Sequence, residues 1–401
     1  MPQELTIGLF GFGSVGSGIY HVLKKKNIPN LNLKTIVVKN PEKPRSISAK
    51  HFSYRPEDIL DDREINVVLE LIDDADAAYA IVKQALKNHK HVVTANKKML
   101  ANHFEELVTL AQKQGVSLLY EASVCGSIPV IRTLEESFGY DTVNSLKAIS
   151  NGTSNYVLTR LFQQPQPFKD IITDAQKHGF AESDPTLDID GWDSKFKLII
   201  SNYHAYGVLN TPEEILNAGI RHVKPEDIEF AKEKGFSIKL IGHSKVEDGQ
   251  LEAYVAPQFI TTSEPITSIA FENNAVEINA DFSQRQVLQG KGAGSIPTAS
   301  AVLSDVTSLL KNYAYPYSKA NQNFTESEST NDAISFNDEK LIKVYISAYD
   351  REDLQLFKFR TDIVCGTQKQ LQYKIGKISI QDLKEQFESR SEEVFIAVFT
   401  E

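Results

Sequence analysis

The sequence predicts an α/β protein: a parallel-sheet domain at the N-terminal end, an α+β domain after it, and a small α+β module at the C-terminus. Three observations carry this prediction. Short apolar runs alternate with helical stretches from residue 5 to 121, hairpin-like alternation takes over after about 236, and a polar stretch at 318–335 sets off residues 336–401. With 401 residues the chain exceeds the roughly 100–200 of one ordinary domain, so more than one core is expected.

Residues 5–10 are apolar and end in Gly11-Phe12-Gly13-Ser14-Val15-Gly16, after which Val15, Ile19, Val22 and Leu23 recur at helical spacing. Further strands are expected at 33–38, 65–72, 91–95 and 116–121, with helices at 75–88 and 101–114. Strands alternating with helices read as βαβ units, hence a parallel sheet of the Rossmann type. A glycine triplet directly after the first strand fits a dinucleotide: the first glycine permits the turn, the second lets the backbone approach a pyrophosphate, and the third lets helix and strand pack closely. The second strand should end near Val38, where an acid would bind the ribose of NAD. Lys39, Asn40, Lys43 and Arg45 stand there instead, which admits the 2′-phosphate of NADP. The fourth strand closes on Thr94-Ala95-Asn96-Lys97 at the carboxyl edge, where such sheets bind ligands. On composition alone Lys97 is also an ordinary helix starter.

From residue 140 the texture changes. A strand is expected at 142–149 and helices near 153–163, 168–178 and 191–206. Asp248-Gly249 between 236–246 and 251–260, and Asn273-Asn274 between 268–271 and 275–282, read as hairpin turns. A second glycine turn at 290–295 opens a helix over 297–312. Residues 318–335 are polar and linker-like. Strands at 341–348, 355–364, 371–378 and 393–399 with a helix at 380–388 form the last unit. The expected domains are 1–135 with 290–317 for the nucleotide, 136–289 for substrate and dimerisation, a linker at 318–335 and an accessory module at 336–401 that folds separately.

Two further segments offer chemistry. Asn151-Gly152-Thr153-Ser154-Asn155 lies between a strand and a helix, and serves either as a plain N-cap or as a set of N–H groups for a carboxylate. Residues 179–197 place Glu182, Asp184, Asp188, Asp190 and Asp193 ahead of Lys197. Asp193 and Lys197, four apart, share a helix face. Exposed, such a pair is worth about 0.3–0.5 kcal/mol. In a cleft, Glu182 and Asp193 can hold an ammonium group while Lys197 acts on a carbon–oxygen centre. Clustered acids also suit a divalent cation, although the spacing is not that of an EF-hand loop.

Composition narrows the function classes. A net charge of −10 and a pI near 5.5 provide no basic footprint for nucleic acid or an anionic membrane, so a small-molecule substrate is expected. Cys125 and Cys365 have no close Cys or His neighbours for a zinc site, which fits a reducing cytoplasm. No run approaches the ~20 apolar residues of a membrane span.

Taken in order, these segments resemble the homoserine dehydrogenase family over roughly residues 5–315: the glycine fingerprint, Thr94 to Lys97, Glu121-Ala122-Ser123-Val124, Asn151-Gly152-Thr153, the acidic segment through Lys197, and 290–301. The resemblance implies NAD(P)H-dependent reduction of L-aspartate 4-semialdehyde to L-homoserine in threonine and methionine biosynthesis. It implies that Lys197 is the catalytic lysine, that Lys97 lies by nicotinamide and substrate, and that Glu182, Asp193, Gly152, Thr153 and Asp188 meet the substrate. Gly294 and its neighbours close over the cofactor. Glu121 with the carbonyls of Val124, Gly126 and Ile128 matches a structural sodium site, and a homodimer through the second domain's sheet is implied. Cys125 and Ser127 replace small residues of the hinge, Phe180 stands where tyrosine is common, and the last unit lacks the usual opening of the family's regulatory domain. No aspartate kinase segment precedes the first strand, so the monofunctional form is expected. The alternatives are another amino-acid dehydrogenase on the same fold and a non-catalytic NAD(P)-binding regulator.

Overall fold

The computed structural model describes residues 4–26, 28–164, 166–321, 334–388 and 393–400. It divides into two compact units, residues 1–139 with 291–318 and residues 140–290 with 319–401.

In the first unit, β1 (Leu5–Phe10), β2 (Leu31–Val37), β3 (Phe52–Ser53), β4 (Val67–Glu70), β5 (His91–Thr94) and β6 (Leu118–Leu119) form one sheet in the order β3-β2-β1-β4-β5-β6. Every neighbouring pair is parallel. The strands read as apolar runs because both faces are covered: all four residues of β4 are buried. Helices Ser14–Lys26, Ala75–Lys87 and Lys97–Gln114 make the crossovers, and the last ends at Gly115 in the left-handed region, φ 67°. The strand order reverses between β1 and β4, which makes their carboxyl ends the crevice where this topology binds a ligand. The returning helix Ser295–Leu309 packs on the first helix at Gly18, where a Cβ would stand 2.8 Å from the Ser295 carbonyl.

The second unit holds β7 (Val143–Ile149), β8 (Leu216–Asn217), β9 (Phe236–Glu247), β10 (Gln250–Thr261), β11 (Asn273–Ala280), β12 (Gln284–Lys291), β13 (Ser335–Phe336), β14 (Leu341–Ala348), β15 (Thr361–Gln368), β16 (Leu371–Ser379) and β17 (Phe395–Phe399). Among the described residues they make one sheet, β12-β11-β7-β9-β10-β17-β14-β16-β15, with β8 and β13 also pairing to β10. Asp248 and Gly249 join β9 to β10 with φ 52° and 72°, as a two-residue turn of type I′ requires. The other expected hairpin turn needs correcting. Asn273 and Asn274 begin β11, because residues 265–268 form a 3-10 turn and leave no strand ahead of them to pair. The turn falls instead after Ala280, where the Asp141 carboxylate accepts the N–H groups of Phe282 and Ser283 at 3.0 and 2.7 Å.

The residues expected to form a module of their own, 336–401, instead continue this sheet. Strands β14 to β17 with helices Arg351–Gln355 and Ile380–Glu388 follow a βαββαβ order and a β17-β14-β16-β15 arrangement, a split βαβ unit. Its edge strand β17 runs parallel to β10, Gln258 opposite Val398 and Phe259 opposite Phe399. The cores are also shared: Leu216, Ala218, Tyr254 and Ala256 pack in one buried cluster with Val344, Ile346 and Ile396. Buried Asp227, in the first turn of helix Pro225–Glu233, accepts hydrogen bonds from the hydroxyls of Tyr345 and Ser347 at 2.8 and 2.7 Å. Apolar complementarity, absent from local sequence patterns, decides this union. Most of the expected linker, residues 322–333, lies outside the described residues.

Candidate active site

The glycine turn sits at the carboxyl end of β1. Gly11 has φ +92°, and a Cβ on it would lie 2.4 Å from the Leu71 carbonyl, while a Cβ on Gly16 would lie 2.3 Å from the carbonyl of Gly11. Neither position admits a side chain, the first because of the turn, the second because helix and strand close on each other. Around Gly13 there is open space. Gly13 and Ser14 are exposed, Val15 is half-buried and Phe12 packs inward, so the N–H groups opening the helix are offered to an anion. Ser295 Oγ donates to the Ser14 carbonyl at 2.6 Å, tying the second glycine turn, with Gly294 at φ +116°, to the first. Just beyond β2, Lys39 is exposed, and Arg45 folds its guanidinium back onto the carbonyls of Asn40 and Lys43 at 2.7 and 2.9 Å.

Across the switch point, buried Thr94 ends β5. Its Oγ1 donates to Glu70 at 2.6 Å and accepts the Asn96 N–H at 3.0 Å. Asn96 caps helix Lys97–Gln114 by accepting from the Met99 N–H, and donates to the Ile72 carbonyl. Lys97, half-buried, is the first residue of that helix.

In the second unit the acidic segment and the 151–155 segment converge. Lys197 and Asp193 lie on helix Trp192–Tyr206, entered through Gly191 at φ 84°. The Lys197 ammonium donates to Asp193 and to the Ser150 carbonyl, both at 2.6 Å. Asn151 caps helix Gly152–Gln163 through its Oδ1, which accepts the Ser154 N–H at 2.8 Å, and its amide nitrogen donates to Asp193 at 2.9 Å and Asp188 at 2.7 Å. The Asp193–Lys197 pair is buried, with side chains 7% and 10% exposed. It is therefore no solvated helix pair. Burying both charges costs more than surface pairing returns unless further hydrogen bonds hold them, as Asn151 and Ser150 do. Burial, and then the charge of Asp193, raise the Asp188 carboxyl above its ordinary value. Thr153 donates to the Phe180 carbonyl at 2.7 Å and so anchors the loop that follows helix Phe168–Lys177. A Cβ on Gly152 would lie 2.9 Å from the Glu272 carbonyl. Glu182 is exposed on its loop and makes no part of this buried group.

The resemblance also singled out residues 121–128. Glu121 is buried and accepts the N–H groups of Ile131 and Arg132, each at 2.9 Å. Burial and the neighbouring Asp305 push its carboxyl up to about 8. Cys125 and Gly126 both adopt positive φ, 54° and 56°, and a Cβ on Gly126 would meet the Gly292 carbonyl at 2.5 Å. Because the Glu121 carboxylate faces 131–132, a cation at this turn would be met by main-chain oxygens, a neutral set suited to a hard ion of low charge. Among the described residues no three His, Cys, Asp or Glu side chains cluster as a metal site, and no helix is long and apolar enough to cross a membrane.

Sequence reasoning missed Glu70 and Lys239, and saw Asn151 only as a cap. For Glu70 a signal existed: a carboxylate closing an apolar strand at the ligand-binding edge. Lys239 carried none. It is buried with its ammonium on Asn155 Oδ1 and the Ile269 carbonyl, and burial pushes it down to about 8.

Known proteins resemble this chain in sequence and fold. A family model described as homoserine dehydrogenase matches residues 129–307, and one described as its NAD-binding domain matches residues 11–121. Homoserine dehydrogenase of Helicobacter pylori is 38% identical over 318 residues, covering 78% of this chain and 75% of that protein. The Bacillus subtilis homoserine dehydrogenase is 33% identical over 319 residues, 77% of this chain and 74% of that one. Among solved structures, a homoserine dehydrogenase from Thiobacillus denitrificans superposes with a TM-score of 0.81 at 27% identity, over 100% of this chain and 99% of that chain.

Proposed function

Because the chain belongs to the homoserine dehydrogenase family, we propose that the family's reaction, NAD(P)H-dependent reduction of L-aspartate 4-semialdehyde to L-homoserine, is divided here between two sets of residues. The chain is an NAD(P)-dependent oxidoreductase acting reversibly on a CH–OH group, in threonine and methionine biosynthesis. When bound, the nicotinamide supplies the hydride. Gly11 to Gly16 receive the pyrophosphate, Thr94 and Lys97 stand by the nicotinamide half, and Gly294 helps to close the turn. Asp193 and Glu182 take the substrate ammonium, and the helix start at Gly152 and Thr153 takes its carboxylate, with Asp188 holding Asn151 in place. Lys197 polarises the aldehyde oxygen and delivers its proton as negative charge develops there.

The buried Lys197–Asp193–Asn151 group carries this reading. In an assay following NADPH oxidation by aspartate semialdehyde, folded Lys197→Ala should lose on the order of 10²–10⁴ in kcat with NADPH affinity nearly intact. Near-normal kcat would sink the assignment. Turnover of another amino acid in preference to homoserine would favour a different dehydrogenase, and cofactor binding without turnover a silent regulator.

Finer points belong to the same reading. Exposed Lys39 favours NADPH without excluding NADH. A sodium ion is held at residues 121–128 by the main-chain oxygens of Glu121, Val124, Gly126 and Ile128. It should raise the melting temperature in sodium chloride over choline chloride, and equal melting in both salts would remove it. Residues 1–135 with 290–317 bind the nucleotide, and 136–289 bind substrate and build a homodimer, which sedimentation tests. Cytoplasmic residence is supported by the free thiols of Cys125 and Cys365, and cell fractionation tests it.

A further inference from the structure

Glu70 is fully buried at the carboxyl end of β4, opposite Phe10 of β1 on one side and Thr94 of β5 on the other. Its two oxygens do different work. Oε1 accepts the Ile72 N–H at 2.7 Å and so shapes the turn leaving β4, while Oε2 accepts the Thr94 hydroxyl at 2.6 Å. With its proton committed to Glu70, the Thr94 oxygen is free to accept the Asn96 N–H at 3.0 Å. Asn96 in turn donates to the Ile72 carbonyl at 3.1 Å and caps the helix that begins at Lys97. The circuit Glu70, Thr94, Asn96, Ile72 closes on itself and joins the ends of two adjacent strands at the ligand edge. A neutral side chain would be the cheaper filler here. Burial pushes this carboxyl up to about 7, with the charge of Asp73 adding to the rise, while the hydrogen bonds from Thr94 and Ile72 favour its ionised form, so a carboxyl is kept here against a desolvation cost.

We propose that Glu70 is a positioning residue for the reaction: through Thr94 and Asn96 it sets the place of Lys97 beside the nicotinamide. A carboxylate is needed because it accepts at both oxygens. A carboxamide offers one acceptor and would present N–H to either Ile72 N–H or the Thr94 hydroxyl, reversing part of the circuit. The pyrophosphate turn at 11–16 makes none of these hydrogen bonds and meets the turn leaving β4 only by the packing of Gly11 on Leu71, so turnover should respond more than cofactor affinity. The proposal rests on reading Lys97 as lying by the nicotinamide.

The test uses the full chain in four variants, Glu70→Gln, Thr94→Val, Thr94→Ser and Lys97→Ala, each checked for folding by thermal melt. Steady-state kinetics with aspartate semialdehyde and fluorescence titration of NADPH supply the readouts. Glu70→Gln and Thr94→Val should each lower kcat about tenfold or more while the NADPH Kd moves less than about threefold, and Thr94→Ser, which restores the hydroxyl that Oε2 accepts, should recover most of the kcat that Thr94→Val loses. A merely structural role would lower the melting temperature and leave kcat of the folded enzyme alone. Should Glu70→Gln fail to fold, the contrast between Thr94→Val and Thr94→Ser decides. Thr94→Val and any folded Glu70→Gln within about twofold of the parent kcat, with Lys97→Ala impaired, would overturn this proposal alone. Normal kcat in Lys97→Ala would overturn the reading of Lys97, and this proposal with it.

Discussion

The two units differ in how far along the chain their parts are gathered. In the nucleotide unit β1, β4 and β5 each pass directly into a helix, and the strand end, the dinucleotide turn and its helix are consecutive in the chain. In the second unit β10 pairs with β17, Gln258 meeting Val398, and one buried core joins side chains of residues 216–256 to side chains of residues 342–398. A local unit can be recognised by motif and repaired by local change. A unit closed over long range has its site supported by residues that carry no signature at all. Both units bury charges in networks, Glu70 and Glu121 in the first and Asp193 and Asp227 in the second, but the second also depends on long-range strand pairing, so its failures should be larger.

The comparison breaks most simply if the C-terminal segment proves dispensable. A chain ending at residue 321 would uncover Leu216, Ala218, Tyr254 and Ala256 and strip Asp227 of the Tyr345 and Ser347 hydroxyls. We expect complete loss of turnover with aspartate semialdehyde and loss of cooperative melting in the circular dichroism. Substantial turnover from that chain would mean that residues 140–290 sustain their own core.

Within the buried group of Lys197, Asp193 and Asn151, Asp193→Ala should leave the Lys197 ammonium and the Asn151 amide short of a partner. Its KM for homoserine should rise by about tenfold or more as kcat also falls, a pattern different from the nearly pure kcat loss of Lys197→Ala. Equal KM values in the two variants would remove Asp193 from the substrate.

The long-range tie at Asp227 gives a third test. Removing its carboxylate in Asp227→Ala leaves two buried hydroxyls and the Lys224 N–H unsatisfied, for a cost of about 2–4 kcal/mol in denaturant melts. Burial raises the Asp227 carboxyl from 3.8 to about 6 in the folded chain. The folded state thus binds the proton more readily, and this group adds stability as pH falls from about 6 toward 4 and withdraws it as pH rises again. Asp227→Asn should flatten that slope. An unchanged slope would mean that Asp227 does not titrate in this window.

The smallest effect is expected in the nucleotide unit, at an exposed residue. Lys39→Ala should reduce the preference for NADPH over NADH by about fivefold, the worth of roughly 1 kcal/mol for one exposed charge against the 2′-phosphate. Equal kcat/KM ratios for the two cofactors in parent and variant would refute it.

What could be read without coordinates follows from periods built into the backbone. The spacing of 3.6 residues placed Asp193 and Lys197 on one helix face, alternation marked β9 and β10 around Asp248-Gly249, and the steric demands of Gly11 and Gly16 announced a dinucleotide turn. Each is settled within a few neighbouring residues. The same reasoning erred at Asn273-Asn274, where turn-forming residue types begin a strand because nothing precedes them to pair with. Tertiary structure alone decided that Asp193 and Lys197 are buried, that the Asn151 amide binds two carboxylates of a later segment, that the Ser150 carbonyl receives the lysine, and that β17 joins β10. Those choices depend on which apolar faces and unpaired strand edges meet when the chain collapses. That energy belongs to pairs of distant surfaces, and no single stretch of sequence contains both.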